Sequence, residues 1–87
     1  MSKVQINEQV SVTSVGFKKN LSVYPRRMEF RGITYNFIDA GLRCLLHCGS
    51  NIAEFFTLTD GQNDFHIKLD PANNIWTLLS ISADATV

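Results

Sequence analysis

Apolar side chains recur at every second position through most of this chain, and short clusters of Gly, Asn, Asp and Pro interrupt the pattern. A period of two is that of a pleated strand and does not line one face of a helix. Val4, Ile6, Val10 and Val12 share even positions, so the first segment runs extended with one apolar face. Val15 and Phe17 then occupy odd positions, and Gly16 inside that shift is the expected place for a bulge or bend. Lys18-Lys19-Asn20 is a polar break before Leu21 and Val23 resume the alternation up to Pro25.

Arg26 to Phe37 reads as a hairpin. Met28 and Phe30 alternate with Arg27, Glu29 and Arg31, and after Gly32 the apolar set becomes Ile33, Tyr35 and Phe37. The turn falls at Arg31-Gly32, although a two-residue hairpin turn demands positive φ and Arg adopts it reluctantly. Asp39 to Gly49 reads two ways. As a helix it has an Asp cap, Leu42, Leu45 and Leu46 on one face, and Gly49 as its stop. As a strand it buries Leu42, Cys44, Leu46 and Cys48 and leaves Arg43 and His47 outside; the extended flanks favour this reading. Phe56 and Leu58 lead into an Asp60-Gly61-Gln62-Asn63 turn. Phe65, Ile67 and Leu69 form the next strand, Asp70 to Asn74 the next turn, and Ile75 to Ile81 the last strand. Phe30, Tyr35 and Trp76 are expected in the core.

The expected fold is all-β: a six- or seven-stranded antiparallel meander curled into a roll or small open barrel, with a short helix near 39–48 as the alternative. At 87 residues the chain suffices for a single domain, placed at 1–82, with 83–87 as a flexible C-terminal tail. Apolar residues make up 45% and charged residues 18%, a globular rather than a disordered composition. No apolar run approaches the ~20 residues that span a bilayer as a helix, and no basic-then-apolar leader is present, so a cytoplasmic protein without membrane contact is expected.

The run Tyr24-Pro25-Arg26-Arg27-Met28-Glu29-Phe30-Arg31-Gly32-Ile33-Thr34-Tyr35 resembles a family of small, uncharacterised bacterial all-β domains. Their shared pattern is Pro-Arg-Arg, an aromatic before Arg-Gly, and Tyr three residues after that Gly. Phe55–Gly61, Phe65–Leu69 and Trp76–Leu79 look like the family's closing strands. Here Phe30 stands where Trp is usual, and Ile33 where a basic residue is common. The resemblance implies an all-β domain and carries no activity with it.

Net charge is zero, yet residues 1–43 hold seven Lys/Arg and three Asp/Glu, whereas residues 44–87 hold one Lys and five acids. The simpler reading is that neighbouring strands pair their charges across the sheet. The sharper one gathers Lys18, Lys19, Arg26, Arg27 and Arg31 on one basic face. Phe17, Tyr24, Phe30 and Tyr35 interleave with these residues, as in modules that stack single-stranded nucleic acid beside a positive groove. An overall pI near 6.7 argues against a dedicated nucleic-acid binder.

Cys44, His47, Cys48 and His66 are the candidate metal-binding or nucleophilic set. On a strand Cys44 and Cys48 lie about 13 Å apart, and His47 points to the opposite face, so they cannot share one ion. Both thiols are expected to be reduced and buried among leucines. Asp60, Asp64 and Asp70 read as turn residues, and neither a calcium loop nor a phosphate-binding glycine motif occurs. The expectation is therefore a non-enzymatic interaction module with no catalytic residue, cofactor or metal. Its expected partner is another protein or a second copy, with weak nucleic-acid contact as the alternative. Val10–Val12 and Ile52–Leu58 are the candidate open edges, and a weak or moderate homodimer through the N-terminal segment or the face beside it is expected, with a monomer as the alternative.

Overall fold

The computed structural model describes residues 3–17, 23–38 and 41–83. Lys18, Lys19, Asp39 and residues 84–87 lie outside them. Seven strands follow one another: β1 (Lys3–Phe17), β2 (Val23–Phe30), β3 (Ile33–Asn36), β4 (Leu42–Cys48), β5 (Asn51–Thr59), β6 (Asn63–Asp70) and β7 (Ile75–Ala83). They form one antiparallel sheet in the order β3-β2-β1-β7-β6-β5-β4. The segment that also read as a helix is strand β4, and β7 runs one residue past the expected domain limit at 82. No helix among the described residues is long and apolar enough to cross a membrane.

β1 gives the sheet its shape. Lys3 to Val10 pair with β7, whereas Ser11 to Phe17 pair with β2. The register slips between Gln5 and Glu8, around Asn7 at φ +55°, and again on either side of Ser14. Such irregularities increase local twist and let one strand turn from one sheet to another. A flat single sheet with its side chains is about 10 Å thick; this molecule measures 38 × 28 × 27 Å, so the sheet is curled around its own inner face. It does not close into a barrel, because β3 and β4 remain unpaired with each other.

The phase shift expected after Val12 does not occur. Val10, Val12, Ser14 and Gly16 all stay on the buried or half-buried side, and Val15 and Phe17 face outward. The slip near Ser14 lets β1 bend without exchanging faces. Gly16 sits inside because the Tyr24 ring of its paired residue covers it, where any Cβ would collide.

Inside the curl lie Val10, Met28, Phe30, Phe37, Phe56, Leu58, Phe65, Ile67, Leu69, Trp76 and Leu78. Phe65 joins the two halves: its ring centroid is 5.1 Å from that of Tyr35 and 5.3 Å from that of Phe37. Trp76 tilts against Phe56 at 5.6 Å. Phe30 and Trp76 are buried as expected; Tyr35, on the short edge strand β3, is only half-buried.

The Arg31-Gly32 turn does take positive φ at both residues, +51° and +76°. Arg31 is held there by an ion pair with Glu8 and by its guanidinium lying 4.8 Å from the Phe30 ring centroid. Asp60 and Asp70 act as turn residues. The Asp60 carboxylate accepts hydrogen bonds from the Gln62 and Asn63 amides, both at 2.9 Å, and Asp70 accepts from the Ala72 amide at 3.1 Å. The described residues on either side of the β3–β4 link, Ile38 and Gly41, meet β5. The Ile38 amide donates to the Thr59 carbonyl at 3.0 Å, and Gly41 presses against the Thr57 backbone.

Two stability outcomes follow. Trp76→Ala is expected to cost about 3–5 kcal/mol, close to the whole stability of a domain this small, as read by urea denaturation. Gly41 and Gly49 share φ +63°, but a Cβ at Gly41 would strike the Thr57 carbonyl, whereas one at Gly49 meets open space. Gly49→Ala should therefore cost about 1 kcal/mol and Gly41→Ala about 3 kcal/mol, the difference reporting that close approach.

Candidate interaction site

β4 forms one edge of the sheet, and the two-residue turn Gly49-Ser50 sets its register on β5. That turn aligns Leu42 with Thr57, Arg43 with Phe56, Cys44 with Phe55, Leu45 with Glu54, Leu46 with Ala53 and His47 with Ile52. Side chains directly opposite one another share a face. Phe56 is 1% exposed and belongs to the core, so Arg43, Leu45 and His47 occupy the inner side. Leu42, Cys44 and Leu46 therefore point outward, the reverse of the expected arrangement.

The burial expected of Cys44 fails with it. Cys44 is an exposed free thiol, not a buried one; the side chain of Cys48 lies outside the described residues. Arg43 is accommodated on the inner side by Glu54: its Nη2 and Nε donate to Oε1 at 2.5 and 2.6 Å. Both side chains are largely covered, at 28% and 15% exposure. This is a cross-strand charge pair of the kind expected, linking the basic first half of the chain to the acidic second half.

β4 thus presents apolar side chains without cover. Leu42 is 74% exposed, Leu46 49% and Leu45 45%, and Ile52 beside them is also exposed. Its ladder with β5 runs over seven residue pairs with no slip, the longest unbroken one among the described residues. The strand carries no Pro, no Lys and no bulge, the usual means of blunting an edge. The edges expected from the sequence are not edges. Val10 pairs with Trp76 and Val12 with Met28, so that region of β1 lies between β2 and β7. Ile52–Leu58 lies in β5 between β4 and β6. Charge and proline content alone would mark β4 as an edge, but its leucines read as core. The available signal was the parity of the Gly49-Ser50 turn: once Phe56 and Leu58 face inward, that turn puts Arg43 inside and Leu42, Cys44 and Leu46 outside.

The basic residues divide. Arg26 and Arg27 lie on the half of the β1–β2 hairpin that ends in Phe17, which is 65% exposed. Arg27 Nε donates to Asn36 Oδ1 at 3.0 Å. Arg31 stands at the opposite end of β2, paired with Glu8. The depression beside Arg27 is lined by Thr13, Glu29, Thr34 and Asn36, with no aromatic ring and with an acid. Tyr24 rests on Gly16 and Phe30 is buried, so Phe17 is the exposed aromatic of the interleaved set.

His47 and Cys44 occupy opposite faces of β4, and His66 lies on β6 with Nδ1 3.3 Å from Thr57 Oγ1. Among the described residues no three His, Cys, Asp or Glu side chains converge as metal ligands. A groove of about 600 Å³ opens between the β4–β5 and β6–β7 turns, bounded by Asn51, Ile52, Lys68, Asp70 and Asn73. It is continuous with the exposed end of the β4–β5 hairpin. No protein-family model matches the chain, nor does any curated protein or solved structure.

The outward placement of β4 has a direct consequence. Leu42→Lys and Leu46→Lys are each expected to change stability by less than about 0.5 kcal/mol in dilute protein, as surface substitutions do. Leu58→Lys, which would place a charge in the core, should unfold the chain. Denaturant titration with circular dichroism distinguishes these outcomes.

Proposed function

We propose that the protein is a non-enzymatic interaction module of the cytoplasm that binds an extended segment of another protein chain along β4. The observation that carries this reading is an unbroken seven-residue edge whose leucines are exposed on both faces. An added strand satisfies the edge's outward-pointing amides and carbonyls, and its alternate side chains cover the apolar stripe. The charge on the strand is already met within the chain by the Arg43–Glu54 pair, so an uncharged partner segment suits it.

The Pro25–Tyr35 motif enters this reading as scaffold. Pro25, Met28 and Phe30 are buried, and Arg31-Gly32 makes the turn. We extend the proposal to the small bacterial all-β domains that this run resembles, with the motif building the β2–β3 hairpin and a different surface doing the binding.

Exposed Phe17, immediately before Lys18 and Lys19 and on the same hairpin half as Arg26 and Arg27, favours a second reading: contact with single-stranded nucleic acid. Arg31 contributes less to it, being held by Glu8 at the far end of β2.

A photo-crosslinking residue at Leu42, with one at Ile33 as control, separates the readings. Protein adducts are expected from position 42 and not from 33, and Leu46→Lys should abolish them. Absence of protein adducts from position 42 would sink the edge-binding reading. Retention on an oligonucleotide that falls steeply with salt and is lost in Arg26→Ala/Arg27→Ala would establish the second instead.

A further inference from the structure

We propose that the occupant of the β4 edge is a second copy of this chain, its β4 paired antiparallel about a two-fold axis at Leu45. The proposal rests on the reading of β4 as a docking edge and names what docks there.

The argument is self-complementarity. A two-fold axis at Leu45 sets Leu45 opposite Leu45 and Arg43 opposite His47 on the inner side. On the outer side it sets Cys44 opposite Leu46, and Leu42 opposite position 48. The outer stripe of one copy therefore meets only the outer stripe of the other, and Leu42, Cys44 and Leu46 supply it. Phe55 and Ala53, aligned with Cys44 and Leu46 on β5, continue that stripe away from the seam.

Charge points the same way. Arg43 is the one Lys, Arg, Asp or Glu residue of the strand, and Glu54 of its own chain binds it through two nitrogens. Two copies thus approach without bringing an unmatched charge to the seam. A strongly acidic or basic segment would find no opposite charge awaiting it there. The segment that fits is uncharged at its centre, apolar on its outer face, seven residues long and free of proline and bulges, as β4 is.

Geometry allows the approach. β4 ends the strand order, and its ladder is straight in register over its whole length. Edge-to-edge pairing would join two curled seven-stranded sheets into one continuous sheet through a self-complementary contact, the commonest symmetry of small assemblies. β3, the other end of the order, is a poorer candidate, with four residues and Ile33 as its exposed large apolar side chain.

The test is cysteine placement in the full chain, with Cys48→Ser throughout. Directly opposed residues have Cα atoms about 4.5–5.5 Å apart, within disulfide reach, whereas a two-residue offset takes them beyond it. Leu45→Cys in a Cys44→Ser background is expected to form a disulfide-linked dimer under mild oxidation of the native protein. Leu46→Cys in the same background should not link to itself, but should link when mixed with chain that retains Cys44 and has Leu at 46. Light scattering of the unmodified chain should show the mass rising from 9.8 kDa toward twice that value with concentration. Leu46→Lys should weaken the association by about tenfold or more.

A monomer mass at every concentration overturns the proposal, as does dimerisation unaffected by Leu46→Lys or equal self-linking at positions 45 and 46. If the chain is monomeric while position 42 still cross-links to a different protein, the second copy is wrong and the docking edge stands. If neither occurs, both fall.

Discussion

The arrangement depends on one strand changing partners. β1 leaves β7 at Val10 and takes up β2 at Ser11, and that exchange turns what would be an open sheet into a curl. Val10 sits at the exchange and is buried, paired with Trp76, while Met28 is reached two residues later through Val12. The chain needs this turn because neither half could bury its apolar face alone. The β2–β3 arm and the residue after it offer only Pro25, Met28, Phe30 and Phe37 as buried apolar side chains, and Phe37 lies against Phe65 of β6. Isolated hairpins are marginal in water for this reason, and the shared strand makes one core from two incomplete ones.

The same bend fixes where the sheet stays open. β3 has four residues, and the chain beyond it crosses toward β5, where the Ile38 amide meets the Thr59 carbonyl. Gly41 then packs on the Thr57 backbone before β4 begins. The crossing is thus anchored at the inner end of the β4–β5 hairpin. β3 is too short, and its continuation too firmly held, to supply a ladder for the seven residues of β4. The gap between them follows from strand length and from those two backbone contacts.

Much of this was legible in the sequence, because period-two alternation in a strand with a covered face reads directly as geometry. Phe65, Ile67 and Leu69 are inside where the alternation put them, and the Asp60 and Asp70 turns follow from carboxylates that bind backbone amides two or three residues on. Legibility failed where alternation is symmetric. In Leu42–Cys48 one face reads Leu, Cys, Leu, Cys and the other Arg, Leu, His, so hydropathy assigns the first to the core. Tertiary register assigns it to solvent instead, since the turn at Gly49-Ser50 and the inward Phe56 act together and outweigh the local pattern. The basic set was equally opaque: nothing in the spacing of Arg27 and Arg31 shows that one would bind Asn36 and the other Glu8.

The Arg43–Glu54 pair explains how the chain tolerates that reversal. An arginine on the inner side of a central strand would be buried among apolar groups, where an uncompensated charge is very costly. On an edge strand the guanidinium retains partial access to water, and a carboxylate on the neighbouring strand binds it. The inner side of β4 can therefore be partly polar at modest cost, and the outer side is left as the larger apolar surface. The usual economy of a sheet edge places charge where water and other chains approach; here the charge is turned inward and neutralised. What remains outward is leucine, a free thiol and a regular row of backbone donors and acceptors. Water can satisfy that row, but water gains nothing from the leucines beside it. An added extended chain would satisfy both, an opening that follows from the register set by one two-residue turn.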